Sequence, residues 1–421
     1  MSNNMDMDVL VIGGGPAGIG AAVALRSQGV QRVTIVEREA VLGGVPRHCG
    51  HPPFGMREFG RIYSGPVYAA RLATLAKEQG VTVRVGTTVT RLEPGGRVQL
   101  ADAGGRTSLS AERVILATGV RESPRSARLV SGDRPVGVIN TGALQSFVYL
   151  RKSMPFRRPL IVGTELVAIS AVLTCFKAGI RPVGIVEAGT RPTTRRAFTL
   201  LPRLFGVPLW YETELDHIEG NGRVEGVRLR GPDGAVRRID CDGVLFTGKF
   251  TPEAALVRGS HLLLDPGTGG PVVDQYGRCS DPSYFAAGNL LRPLETAGWS
   301  FREGQRIGRS VAADLHGHMA EALASVSVER AEGIRLVMPQ RLVVPLTQLP
   351  RDVPHVPQGL EHLQVRVAKQ IKGTLELTAG GHVLWEKQVL ALPERRLLIP
   401  LRHLEIPATS GTLRVAIRPG A

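Results

Sequence analysis

The clearest chemistry in this 421-residue chain lies near its start, where Gly13-Gly14-Gly15-Pro16-Ala17-Gly18 joins the apolar run Val9-Leu10-Val11-Ile12 to a helical stretch from Ala17 to Gln28. Between a strand and a helix each small residue has a task. Gly13 permits the tight turn, Gly15 lets the backbone approach a pyrophosphate, and Gly18 lets the helix pack on the strand, while the helix N-terminus attracts phosphate charge. Nineteen residues beyond Gly18, Glu37 ends a second apolar run, Val33 to Val36, with Arg38 beside it. A carboxylate at that distance can accept hydrogen bonds from both hydroxyls of a ribose. Further on, His48-Cys49-Gly50-His51 gathers two imidazoles and a thiol. His51 is the first choice as a proton carrier, because imidazole exchanges protons near neutral pH, and His48 and Cys49 come next. A thiolate between histidines is a nucleophile; an isolated cysteine is as readily a small buried apolar residue, and both readings stand.

The elements needed to position these residues occur twice. Val9 to Gly119 reads as strand, Gly-rich turn, helix and strand. A meander then runs through Val81 to Val85, Val89 to Leu92 and Arg97 to Leu100, and Arg113 to Leu116 ends in Ala117-Thr118-Gly119. Pro159 to Gly248 repeats the order, with Leu160 to Gly163, a helix to about Ala178, Pro182 to Glu187, turns at 220–222 and 232–234, and Gly243 to Phe246 before Thr247-Gly248. Strand, helix, parallel strand is the βαβ unit, and continuous Val/Ile/Leu runs suit strands covered on both faces. Tyr284 to Asn289 then reads as another central strand of the first unit and Glu303 to Leu315 as its last helix. Residues 320–332 read as a linker. Short alternating runs follow, such as Leu363-x-Val365-x-Val367 and Leu397-x-Ile399, with Gly380-Gly381 as a hairpin turn. The predicted class is α/β: two nested Rossmann-like dinucleotide-binding domains plus a small all-β C-terminal domain. The first is discontinuous, over residues 1–125 and 241–320; the second covers 126–240, and the β domain 330–421.

Together with Gly43-Gly44 and Ala286-Ala287-Gly288-Asn289, these motifs resemble the pyridine nucleotide-disulfide oxidoreductase superfamily over roughly residues 8 to 318. The resemblance implies FAD. It places Gly13, Gly15, Pro16, Ala17, Gly18, Glu37 and Arg38 at the ADP half and Val89 near the adenine. Gly44, Ala117 and Thr118 would touch the cofactor, Gly119 would line the pyrophosphate side, and Gly288 and Asn289 would face the ribityl chain. Most members of the superfamily have Asp where this chain has Asn289, although an amide still hydrogen-bonds hydroxyls and phosphate. Ala297 and Gly298 would offer amides to the flavin pyrimidine ring, where negative charge develops on reduction.

Two departures bear on function. Disulfide reductases carry Cys-x-x-x-x-Cys after the Gly-Gly pair, whereas this chain has Cys49 alone. Its Cys49-Gly50-His51-Pro52-Pro53-Phe54-Gly55 is similar instead to FAD subunits found beside glycerol-3-phosphate dehydrogenase-like and amino-acid or opine dehydrogenase-like flavoproteins. The second Gly-rich loop, Gly163-Thr164-Glu165-Leu166-Val167-Ala168, has glutamate at the middle glycine. Its Cβ obstructs backbone approach and its carboxylate repels a pyrophosphate, so the NAD(P) site reads as decayed. Against this, Arg191, Arg195 and Arg196 stand where a 2′-phosphate would be recognised.

The resulting expectation is the FAD subunit of a heteromeric dehydrogenase, moving electrons between a small organic substrate, or a substrate-oxidising partner subunit, and an acceptor. One rival is a free-standing NAD(P)H-dependent flavin reductase. Another is a binding or assembly component stabilised by FAD, its β domain recruiting a partner by strand addition. A net charge of +15 invites a nucleic-acid reading, but only seven of 52 basic residues are lysine and they are scattered along the chain, which favours no nucleic-acid partner. No apolar run approaches the ~18 residues of a membrane span, and the first strand leaves no room for a leader. Four dispersed cysteines without a Cys-x-x-Cys pair argue against a disulfide scaffold or zinc site and for the cytoplasm.

Overall fold

The computed structural model describes residues 5–194, 196–319, 324–344, 359–393, 395–402, 404–406 and 411–419. The strand Met7–Ile12 lies at the centre of the first sheet, parallel to Val33–Val36 on one side and to Gly105–Leu116 on the other. Thr82–Arg84 adds in parallel outside Val33–Val36, so the run at 81–85 joins the parallel sheet and not the meander. The meander is 88–93, 97–102 and 105–116, and the last of these is a 12-residue strand. Its first half pairs antiparallel in the meander, and its second half pairs parallel with Met7–Ile12 and with Tyr284–Ala286.

In the second unit Leu209–Trp210, Gly184–Val186, Pro159–Val162, Gly243–Phe246 and Val138–Asn140 form an all-parallel sheet in that order. Gly243–Phe246, assigned from sequence to the first unit from residue 241, therefore belongs to the second. Its four residues are buried on both faces, and only the sheet that covers both can hold them. The chain crosses between the units through a two-stranded antiparallel ribbon, Val120–Glu122 with Phe250–Pro252.

Pro16–Ser27 and Ala297–Leu315 pack against each other through glycines. A Cβ on Gly304 would strike Ala17 O, one on Gly308 would strike Ala21 O, and one on Gly20 would strike Phe301 O. The last helix starts six residues before the position expected from its pattern, at Ala297 rather than Glu303.

Where a linker was expected, Ala324–Arg330 is a strand, parallel to Thr412–Pro419 and antiparallel to Arg341–Val344; residues 320–323 lie outside the described residues. The C-terminal strands form a five-stranded and a three-stranded sheet. Gly380 and Gly381, both at positive φ, make the two-residue turn between Ile371–Ala379 and His382–Ala391. This unit is not a free appendage. Met338 and Leu360 are buried in one apolar cluster with Leu10, Leu116, Tyr284 and Leu290 of the first unit.

Candidate functional site

The two dinucleotide units and the C-terminal unit border one cleft of ≈ 2820 Å³. Gly13, at φ +107, leaves a Cβ position 2.5 Å from Ala117 O, and a Cβ on Gly18 would strike Gly13 O. These two glycines are required by the protein's own packing. Gly15 is different: its φ of −81 suits any residue, and a Cβ there would meet nothing nearer than Gly44 Cα at 3.9 Å. No protein neighbour explains a glycine at that position, whereas a backbone-hugging pyrophosphate does. Glu37 is buried, with Oε2 accepting from Gly14 N–H (2.8 Å) and Oε1 from Glu39 N–H (2.9 Å), which fixes the carboxylate at the cleft wall.

Pro16, Ala17, Arg38, Gly44 and Val89 line the same cleft, as do Ala117, Thr118 and Gly119, and on the far side Asn289, Ala297 and Gly298. Gly18 and Gly288 do not. Gly288 was expected at the ribityl chain, but a Cβ there would lie 2.5 Å from Ala17 Cβ and its N–H donates to Glu303 (2.9 Å). Its smallness serves helix approach. Asn289 is tied to one backbone, donating from Nδ2 to Glu295 O (3.0 Å) and accepting from Glu295 N–H (2.7 Å).

His48, Cys49 and His51 all line the cleft, and Cys49 and His51 are joined to the second unit by a chain of hydrogen bonds. The Cys49 thiol donates to Gln145 Oε1 (3.4 Å), and Gln145 Nε2 donates to Ser170 Oγ (2.6 Å). Ser170 Oγ meets His51 Nε2 (2.5 Å), and His51 Nδ1 meets Pro52 O (2.8 Å). A carbonyl only accepts, so Nδ1 carries a proton, and in the neutral ring Nε2 then accepts from Ser170. Burial pushes the Cys49 thiol up to about 12, so it is a thiol at neutral pH and the inert of its two readings fits. His48 Nδ1 is buried without a hydrogen-bond partner, and desolvation holds the ring's pKa below 6.5. Ser300 Oγ, also at the cleft, is likewise buried and unpartnered. At the wall of a cleft, such atoms are ones that a bound group could satisfy. The residues present thus fit an FAD.

Sequence reasoning missed Gln145, Ser170 and Glu122. Glu122 sits on the inter-unit ribbon, accepting from Gly142 N–H (2.7 Å) and Gly248 N–H (3.2 Å), and burial raises its carboxyl above the usual range. No local motif announces these residues, because each acts across a long stretch of chain.

The second loop repeats the first with its cradle filled. Thr164 stands in the place of Gly14, and its hydroxyl donates to Glu187, the counterpart of Glu37, which also accepts from Gly189 N–H (3.0 Å). The Glu165 carboxylate accepts from Thr247 Oγ1 (2.7 Å) and lies 2.5 Å from where a Cβ on Gly163 would be. Arg128 caps the neighbouring carbonyls of Thr247 (2.9 Å) and Gly248 (2.7 Å). Arg191 lines the cleft; Arg195 and the Arg196 side chain lie outside the described residues. Among the described residues no group of His, Cys, Asp or Glu could hold a metal ion, and no helix is long and apolar enough to cross a membrane. The four cysteines are free and buried.

Fold and site together define an FAD-dependent oxidoreductase with two dinucleotide folds. The model of the pyridine nucleotide-disulphide oxidoreductase family matches residues 7–309, and the chain belongs to that family, whose members bind FAD and use NAD(P)H. It is 28% identical over 330 residues to the ferredoxin–NAD(+) reductase of the benzene 1,2-dioxygenase system of Pseudomonas putida, covering 75% of each chain. It is also 28% identical over 185 residues to one of the opine oxidase subunits of Rhizobium meliloti, covering 43% of this chain and 38% of that one. The structure resembles T. acidophilum thioredoxin reductase with a TM-score of 0.61 at 23% identity, over 73% of this chain and 98% of the other.

Proposed function

We propose that this oxidoreductase is the flavin subunit of a heteromeric dehydrogenase, exchanging electrons with a substrate-oxidising partner or a small organic substrate and not with NAD(P)H. The observation that carries the reading is the contrast between the open position at Gly15 and the Glu165 carboxylate lodged in the second loop. When bound, FAD supplies hydride- and electron-accepting chemistry. The chain's own part is to hold it and to manage protons. Glu37 would hold the ribose, the Gly13–Gly18 loop would receive the pyrophosphate, and the amides of Ala297 and Gly298 would offer positive partial charge to the flavin end. The buried, unpartnered Nδ1 of cleft-lining His48 favours it over His51, which has both ring nitrogens engaged, as the group that takes or gives a proton. Similarity to components of a reductase system and of an oxidase supports work alongside other chains.

A second reading, an NAD(P)H-dependent reductase, is favoured by the ferredoxin–NAD(+) reductase similarity and by Arg191 at the cleft. Anaerobic titration separates the two. Under the first reading, micromolar NADH or NADPH leaves the flavin of the purified chain oxidised, while substrate plus the co-purifying partner bleaches it. Glu165→Gly should then gain nicotinamide affinity by at least ~10-fold, the order of one removed charge repulsion. Rapid bleaching of the wild type by micromolar NADPH would establish the second reading.

A further inference from the structure

At the cleft, side chains of the C-terminal unit hold the segment 288–299. There Glu295, its side chain 7% exposed, is gripped by Arg366 (3.3 Å) and Arg396 (3.0 Å), both from beyond residue 360. Arg366 also donates to Leu294 O (2.8 Å). Arg396 lies over the Trp299 ring at 4.3 Å, a ring that Arg57 approaches at 4.9 Å. Upstream, Arg292 pairs with buried Glu303 through two bonds (2.8 and 2.7 Å) and reaches Gln364 of the C-terminal unit (2.9 Å). The intervening backbone is closed by Asn289 on both polar groups of Glu295. Three side chains of the C-terminal unit thus hold the turn that delivers Ala297 and Gly298. Thr296, the residue before them, makes no side-chain cap, so the first amides of a 19-residue helix are left for the cleft.

Burying a carboxylate between two arginines is a costly way to gain stability, and such groups are best explained where they fix one geometry. We propose that Arg366 and Arg396 are positioning residues: acting through Glu295, they aim the Ala297 and Gly298 amides at the flavin and so set how strongly the protein prefers reduced over oxidised cofactor. The family match covers residues 7–309, and Arg366 and Arg396 lie beyond it. The inference rests on the FAD reading of the cleft.

The test uses the full chain loaded with FAD, the variants Arg396→Ala, Glu295→Ala and their double, and dye equilibration to read the midpoint potential. Glu295→Gln replaces Glu295→Ala if the latter does not fold, and Arg418→Ala, which removes a 2.7 Å ion pair to Glu376 within the C-terminal unit, controls for loss of stability alone. Arg396→Ala should reduce the preference for reduced flavin about tenfold, which is about 30 mV for a two-electron couple. That change should shrink to less than a third in the Glu295→Ala background, because the effect passes through Glu295. Arg418→Ala should leave the midpoint in place. An unchanged midpoint in Arg396→Ala, or a full effect persisting without Glu295, overturns the proposal. A wild-type chain that binds no FAD overturns the underlying reading instead.

Discussion

Gly15 and Gly18 look alike in a motif and differ in what limits them. Gly15→Ala places its Cβ in open space at an ordinary φ, so the apoprotein should melt as the wild type does while FAD affinity falls at least ~10-fold, read by fluorescence on titration. Gly18→Ala meets the carbonyl of Gly13 and should lower the melting temperature of the apoprotein itself. His48 supplies a pH signature. The unfolded ring takes up a proton near pH 6.5 and the buried ring does so only at lower pH, so stability falls as pH drops below 6.5. His48→Gln should flatten the dependence of the melting temperature between pH ~7 and ~5.5. The glycine loop and Glu37 were legible in sequence because their chemistry is local. The chain through Gln145 and Ser170 was not, since Cys49 and Gln145 are 96 residues apart and His51 and Ser170 are 119 apart. Only packing of the two units brings them together.

At the scale of elements, the crossing of Pro16–Ser27 with Ala297–Leu315 is what brings the amides of Ala297 and Gly298 to the same cleft as the Gly13–Gly18 loop. Gly304→Ala forces its Cβ onto Ala17 O and should cost about 1–3 kcal/mol, seen as a lower denaturant midpoint with an unchanged slope. The parallel strands at 9–12, 33–36, 113–116 and 160–162 were readable from continuous Val/Ile/Leu runs, though not their full order, and the Gly380-Gly381 hairpin from its turn residues. The start of the last helix was not, because Ala297 to Arg302 has no regular apolar period and becomes helical against Arg57, Arg396 and the first helix. The strand at 324–330 escaped for a similar reason. Val326 and Val328 give it a strand's alternation, but the pairing that fixes it in the sheet, Ser327 beside Thr412, lies 85 residues away in the chain.

At the scale of the whole molecule, the C-terminal unit is structural cover as well as a brace. Deleting residues 320–421 removes Met338 and Leu360 from the cluster around Leu10, Leu116 and Tyr284. Losing two buried apolar side chains costs about 3–6 kcal/mol, so the shortened chain should melt earlier and release FAD, as size-exclusion chromatography with absorbance at flavin wavelengths would show. The same long-range architecture governs the order in which the protein can be made. Tyr284–Ala286 completes the sheet beside Gly105–Leu116, so a nascent chain carries an unpaired edge there until those three residues leave the ribosome. At ~5–20 residues per second that interval lasts on the order of 10 to 30 s. For that time the half-built sheet keeps an open strand edge, at which another chain could add before residues 284–286 close it.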